Sequence, residues 1–240
     1  RGAVVGQVNG LTVYDQGDHS FGVPARITAR TYVGRKGVVN IDREVRLSGA
    51  IHDKGALPLV GFLGGRFARD KPLALSASIT FEQNYGFVEG DSASAAELYA
   101  LLSSLALAPI HQGIAVTGSV NQQGEIQPVG GVNEKIEGFF KVCRIKGLTG
   151  REGVIIPRTN IRHLMLAQDV VDAVRRGRFH VYAVSDVDEG IAILTGQLAG
   201  RRRNGRWQTG CLNDRIDRRL RELGEVLRRH EVVAPPADAR

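Results

Sequence analysis

The sequence predicts a mixed α+β domain. Residues 1–90 are β-rich, and residues 91–196 alternate helix with strand. Three observations lead there. Leu73–Phe81 alternates apolar and small polar residues, as a half-buried strand does. Ser92–Leu107 and Glu134–Lys146 read as helices, ended by Pro109 and Gly147. The 240 residues are 42% hydrophobic and 24% charged, ordinary for a globular chain with a sizeable core, which excludes a disordered chain. The 30 glycines have no three-residue period, which excludes a collagen-like fibre and leaves them for turns and close backbone contacts.

Taken in order, Val4–Val8 and Leu11–Tyr14 flank Asn9-Gly10, a hairpin turn signal. Ala25–Val33 is a strand, Gly34–Gly37 a turn and Val45–Ile51 a short strand. Residues 55–69 read as a helix carrying Gly61, Gly64 and Gly65. Beyond the helix at 92–107, Gly113–Val120 is a strand that turns at Asn121–Gly124 and returns over Glu125–Val129. Val154-Ile155-Ile156 is a buried strand stopped by Pro157, and Asn160 is placed to cap a helix running to about Arg176. Phe179–Val184 is a strand, and Ser185 or Asp186 caps a helix to about Leu194.

After Gly196 the character changes. Residues 201–240 hold 11 Arg against 6 Asp and Glu, a net of +5, while the whole chain is only +7, so residues 1–200 carry +2. The organisation expected is a main domain at 1–199 and a basic segment at 200–240. That segment comprises a linker over 200–206, an amphipathic helix with Leu212, Ile216, Leu220, Leu223 and Leu227 on one face, and a frayed end containing Pro235-Pro236. Such a helix is expected to pack on its own domain and to contribute little to the chemistry. A nucleic-acid-binding role for the arginines is the competing reading.

No apolar run approaches the roughly 18–20 residues of a membrane span. Two cysteines, Cys143 and Cys211, cannot form a disulfide framework, which points to a reducing compartment and a cytoplasmic location. The first residue is Arg1, and the expectation is a piece of a longer protein.

Familiar catalytic signatures are absent. There is no G-x-x-x-x-G-K-[ST] loop, so no ATP site of that kind is expected. There is no G-x-S-x-G elbow. The six histidines form no H-x-x-x-H pair, and no metal site is expected; His52 alone, in Ile51-His52-Asp53-Lys54-Gly55, resists assignment to packing or surface.

Two segments remain. Val88-Glu89-Gly90-Asp91-Ser92-Ala93-Ser94 places a serine where a helix opens, near free backbone N–H groups and the positive end of the helix dipole, an arrangement suited to an oxyanion. The competing reading is that Asp91 or Ser92 merely caps the helix. Gly130-Gly131-Val132-Asn133-Glu134-Lys135-Ile136 places a lysine in the first turn of an amphipathic helix. Burial and the dipole would both lower its pKa and let it take a proton from a serine; a surface lysine lying over Ile136 is the competing reading.

Together these segments resemble the proteolytic domain of Lon-type proteases, in the branch carrying Glu89-Gly90-Asp91-Ser92-Ala93-Ser94. The likeness runs from about Gly6 to Gly196, roughly four-fifths of the chain, and extends through Val5–Leu11, Thr80–Gln83, Ala115–Ser119, Gly130–Phe140 and Gly153–Pro157. The resemblance implies a ribosomal protein S5 domain 2-like fold and a Ser–Lys dyad of Ser92 and Lys135, with Thr117 orienting the lysine. It also implies an oxyanion hole from the backbone N–H groups of Ser92 and Asp91, and a substrate-pairing edge at Tyr85, Gly86, Phe87 and Val88. Glu89 falls at an acidic position beside the nucleophile, where it could lock an inactive state. The implied activity is cleavage of unfolded polypeptides without metal or organic cofactor. ATP and Mg would act only through an AAA+ module outside this chain, in a hexameric ring. A scaffold that has lost activity is the alternative, against which Ser92, Lys135 and Thr117 stand intact.

Overall fold

The computed structural model describes residues 2–84 and 86–233. In chain order the elements are β1 (Ala3–Val4), β2 (Gln7–Asp15), β3 (Ser20–Val33), β4 (Gly37–Asn40), α1 (Ile41–Glu44), α2 (Ala50–Phe67), β5 (Leu75–Phe81), α3 (Ser94–Ala106), β6 (Ile110–His111), β7 (Ile114–Val116), β8 (Ser119–Val120) and β9 (Ile126–Gln127). There follow α4 (Val132–Ile145), β10 (Gly153–Pro157), a 3₁₀ turn (Arg158–His163), α5 (Gln168–Arg175), β11 (His180–Val184), α6 (Val187–Thr195), β12 (Arg202–Arg203), β13 (Arg206–Trp207) and α7 (Leu212–Val233).

Seven strands form a mixed sheet in the order β11-β10-β7-β2-β3-β5-β4. β2, β7, β10 and β11 run parallel, while β3 is antiparallel to both of its neighbours. The period of two along each strand divides the apolar residues between two faces. Val8, Ile27, Ile79, Val116 and Ile155 face α2, α3, α6 and α7, whereas Leu11, Ala115, Val154 and Ile156 face α4 and α5. Helix α3 is buried along its whole length, which explains its run of Ala and Leu. The α+β class is as the sequence predicts.

Several expectations are corrected. Asn9-Gly10 is not a turn: both lie inside β2, where a Cβ on Gly10 would fall 2.6 Å from the tip of the Ile27 side chain. The β2–β3 turn lies at Asp15–His19, with Gly17 at φ +83° and its N–H bonded to the Asp15 carboxylate. Val45–Ile51 is not a strand. Asn40 caps the short α1, and α2 begins already at Ala50. Asn160 does not cap a long helix, because its side-chain amide is used to clamp both the N–H and C=O of Val129; a 3₁₀ turn and a separate α5 result. Residues 202–207 are a small hairpin whose turn, Asn204-Gly205, has φ of +47° and +77°.

The compositional change at 199/200 is not a break in the core. Leu212, Ile216, Leu220 and Leu223 of α7 are buried in the same cluster as α3. Arg215 donates to the carbonyls of Ala106 and Leu107, the free acceptors at the C-terminus of α3. Pro235-Pro236 and the rest of the expected frayed end lie outside the described residues.

Candidate active site

Ser92 and Lys135 come from opposite faces of the sheet. Ser92 precedes α3 and Lys135 is in the first turn of α4, and they meet where β7 ends at Val116. The ammonium Nζ of Lys135 donates to Ser92 Oγ at 3.0 Å. The lysine side chain is buried, at 4% exposure. Burial lowers its pKa to about 8, with Asp91 and Glu134 pulling weakly the other way. It is therefore a packed group and not a lysine spread over the surface.

The serine hydroxyl is not used as a helix cap. α3 begins two residues later, at Ser94, with Ala93 as an N-cap that makes no side-chain bond. The carbonyl of Ser92 turns toward the strand end, accepting from Gly118 N–H at 2.9 Å and from the Thr117 hydroxyl at 3.3 Å. Thr117, expected beside the lysine, thus holds the serine backbone. Asp91 accepts from Ser119 Oγ at 2.7 Å, and Ser94 Oγ accepts from Val120 N–H at 3.1 Å. Among the described residues nothing accepts from the backbone N–H groups of Asp91 or Ser92.

The pair opens into a groove of about 1010 Å³ with walls from Leu11, Val13, Val23, Phe81, Phe87 and Val129. Val88 is buried, and its N–H and C=O are both consumed by Leu47 and Gly49. Neighbouring residues of an extended segment point their backbone groups to the opposite side, so Phe87 and Glu89, not Val88, offer theirs outward. Phe87 is exposed, as is Gly86, and Tyr85 lies outside the described residues. The carboxylate of Glu89 accepts from Gly90 N–H and packs against Gly49. It is not among the acids acting on Lys135.

Residues 86–196 match the family described as the Lon protease (S16) C-terminal proteolytic domain. The chain carries a Lon-type proteolytic domain. Similar proteins include a Lon protease homolog of Escherichia coli, 43% identical over 98% of this chain. One of Haemophilus influenzae is 42% identical over 92%, and an archaeal Lon protease of Thermococcus kodakarensis is 29% identical over 92%. The chain spans 40%, 37% and 31% of the lengths of these three relatives.

Sequence reasoning missed part of what builds the site of this Lon-type domain. Gly22 of β3 lies directly under α4: a Cβ on it would fall 2.5 Å from the Cα of Lys135 and would also meet the Glu134 carbonyl oxygen. Gly138 makes the reciprocal contact, since its Cβ would meet the carbonyl oxygen of Gly22. Two glycines 116 residues apart in sequence carry no local signal of their meeting. Ser119 was legible only as the end of the stretch Ala115–Ser119. Among the described residues, no group of three or more His, Cys, Asp and Glu side chains could hold a metal, and no helix is long and apolar enough to cross a membrane.

Proposed function

We propose that the chain is a serine endopeptidase domain that cleaves unfolded polypeptide, with Ser92 as nucleophile and Lys135 as general base. The observation that carries this is the 3.0 Å contact between a buried lysine of lowered pKa and a serine hydroxyl that caps nothing, at the foot of a groove. In the neutral state the Lys135 lone pair accepts the Ser92 proton as Oγ bonds to the substrate carbonyl carbon. The carbonyl oxygen takes the electron pair and faces the Asp91 and Ser92 N–H groups. Collapse of the adduct breaks the C–N bond, and Lys135 returns the proton to the leaving amine. Water then attacks the acyl-enzyme with Lys135 again as base. The substrate strand pairs with the outward backbone groups of Phe87 and Glu89. A partner AAA+ module, which would bring ATP and Mg, a hexameric ring and a cytoplasmic location belong to the same proposal. They rest on the resemblance and on the chain's share of its relatives' length.

The test is peptide turnover of Ser92→Ala, Lys135→Ala and Lys135→Arg beside circular dichroism. All three lose cleavage while remaining folded, because arginine stays protonated and an unactivated hydroxyl is a poor nucleophile. Wild-type turnover rises with pH to a midpoint near 8, since the base works only after losing its proton. The group's folded pKa lies below its usual 10.5, so the stability it contributes also rises with pH, between about 8 and 10.5. A folded, active Ser92→Ala protein refutes the proposal.

A further inference from the structure

Outside the catalytic pair, buried polar side chains converge at one place. His52 of α2 is 1% exposed, Glu97 of α3 is 0% exposed, and Asn40 at the end of β4 is 6% exposed. Glu97 lies in the first turn of the wholly buried α3, and a buried carboxyl is costly unless it is paired. Glu97 Oε1 accepts from Asn40 Nδ2 at 2.8 Å and lies 3.5 Å from His52 Nε2, while its Oε2 has no partner among the described residues. Asn40 Nδ2 lies 3.3 Å from the same imidazole nitrogen, and the Phe81 ring meets the imidazole edge-on with centroids 5.6 Å apart. The ring is thus held at Nε2 and by the Phe81 ring. Its other nitrogen, Nδ1, lies 3.3 Å from the carbonyl oxygen of Gly90 in the nucleophile segment.

We infer that His52, seated by Asn40 and Glu97, is a positioning residue that holds the Gly90 carbonyl and thereby sets the direction of the Asp91 N–H beside Ser92. The inference rests on the serine peptidase reading. In a trans peptide the C=O of Gly90 and the N–H of Asp91 point opposite ways, so fixing one fixes the other. A carbonyl only accepts, so Nδ1 carries the proton. That holds for the neutral imidazole, with Nε2 accepting from Asn40, and for the imidazolium, with Nε2 donating to Glu97. Gly90 itself sits at φ +86°, a conformation open chiefly to glycine, so its own backbone preferences leave both peptide orientations accessible. Asp42, also buried, accepts from Phe81 N–H and braces the strand behind the ring.

The experiment uses the full chain and two substitutions that separate the ring nitrogens. His52→Gln places its amide near Nε2 and loses the Nδ1 donor, whereas His52→Asn places an N–H near Nδ1. His52→Gln lowers kcat by about 10- to 100-fold with KM changed less than about 2-fold, the pattern for losing transition-state stabilisation alone. His52→Asn recovers about ten-fold of that loss. Equal losses in both variants, or wild-type kcat in a folded His52→Gln protein, overturn the inference. Separately, ¹⁵N imidazole spectra of the Ser92→Ala protein show His52 protonated at Nδ1; protonation at Nε2 alone overturns it. If cleavage survives Ser92→Ala, the peptidase reading fails, and the imidazole spectrum then decides the His52–Gly90 bond by itself.

Discussion

Lys135 is delivered by packing and Ser92 by hydrogen bonds. On the lysine side, α4 lies against β3 through Gly22 and Gly138, so closely that neither position has room for a Cβ. Ile136, Phe139 and Phe140 then bury the helix against the sheet. On the serine side, the Gly90–Ser94 segment is tied to the strand end by Gly118 N–H, the Thr117 and Ser119 hydroxyls and Val120 N–H, and to α2 by His52. Packing is all-or-none, because an interior as dense as an organic crystal has nowhere to put an extra atom. A set of hydrogen bonds is graded: a bond whose acceptor keeps another partner is worth about 1 kcal/mol net, and its neighbours remain when it goes. The lysine half of the site should therefore fail abruptly and the serine half by degrees.

The largest effect comes from the foundation of the serine half. Truncation after Gly200 removes α7 from α3, and with it Leu212, Ile216, Leu220 and Leu223, all 2% exposed or less. At about 1.5–3 kcal/mol per buried side chain, these four are worth about 6–12 kcal/mol. A whole domain is stable by only about 5–15 kcal/mol. Removing Arg215 also frees the carbonyls that end α3. The truncated chain should lose its cooperative thermal transition, and activity with it, contrary to the expectation from composition that the tail contributes little. A sharp melt within a few degrees of the intact chain would show that α7 is dispensable.

That reversal marks where the sequence was readable. The α3 and α4 helices and the amphipathic face of α7 are local patterns, and each was found within a residue or two; Ser92 and Lys135 were paired by the resemblance, and their Oγ and Nζ lie 3.0 Å apart. The α7 face packs on its own domain as expected; how much of the fold rests on that contact depends on tertiary placement, and periodicity says nothing about it. Gly10 misled for a related reason: Asn-Gly signals a turn when nothing else claims the glycine, and here Ile27 across the sheet does. Asn160 misled because a capping residue type was taken by Val129, 31 positions away. His52 could be singled out but not assigned, since its partners Asn40, Gly90 and Glu97 are spread over a separation of 57 positions.

Next in size is the lysine half. Gly22→Ala should push α4 outward at Glu134 and Lys135, and Gly138→Ala should do so one turn further on. A displacement near 1 Å at a catalytic group costs about 100-fold in rate, so each variant should lose about that much kcat while still melting cooperatively. A two- or three-fold loss would mean that α4 can slide without moving Nζ, and the contrast between the two halves would disappear.

The smallest effect should come from a single bond on the serine side. Thr117→Val keeps the shape of a side chain that is 1% exposed and deletes its hydroxyl, which donates to the Ser92 carbonyl at 3.3 Å. That carbonyl keeps its 2.9 Å bond from Gly118 N–H, so no acceptor is left bare. The loss should be near 1 kcal/mol, about five-fold in kcat. The midpoint of the pH profile should stay near 8, because burial, Asp91 and Glu134 set the Lys135 pKa and Thr117 does not enter. The resemblance to Lon-type enzymes carries a different expectation, in which this hydroxyl orients the lysine. A loss approaching that of Gly22→Ala, together with a displaced midpoint, would show Thr117 acting on Lys135 during turnover. It would move the residue from the graded half of the site to the abrupt one.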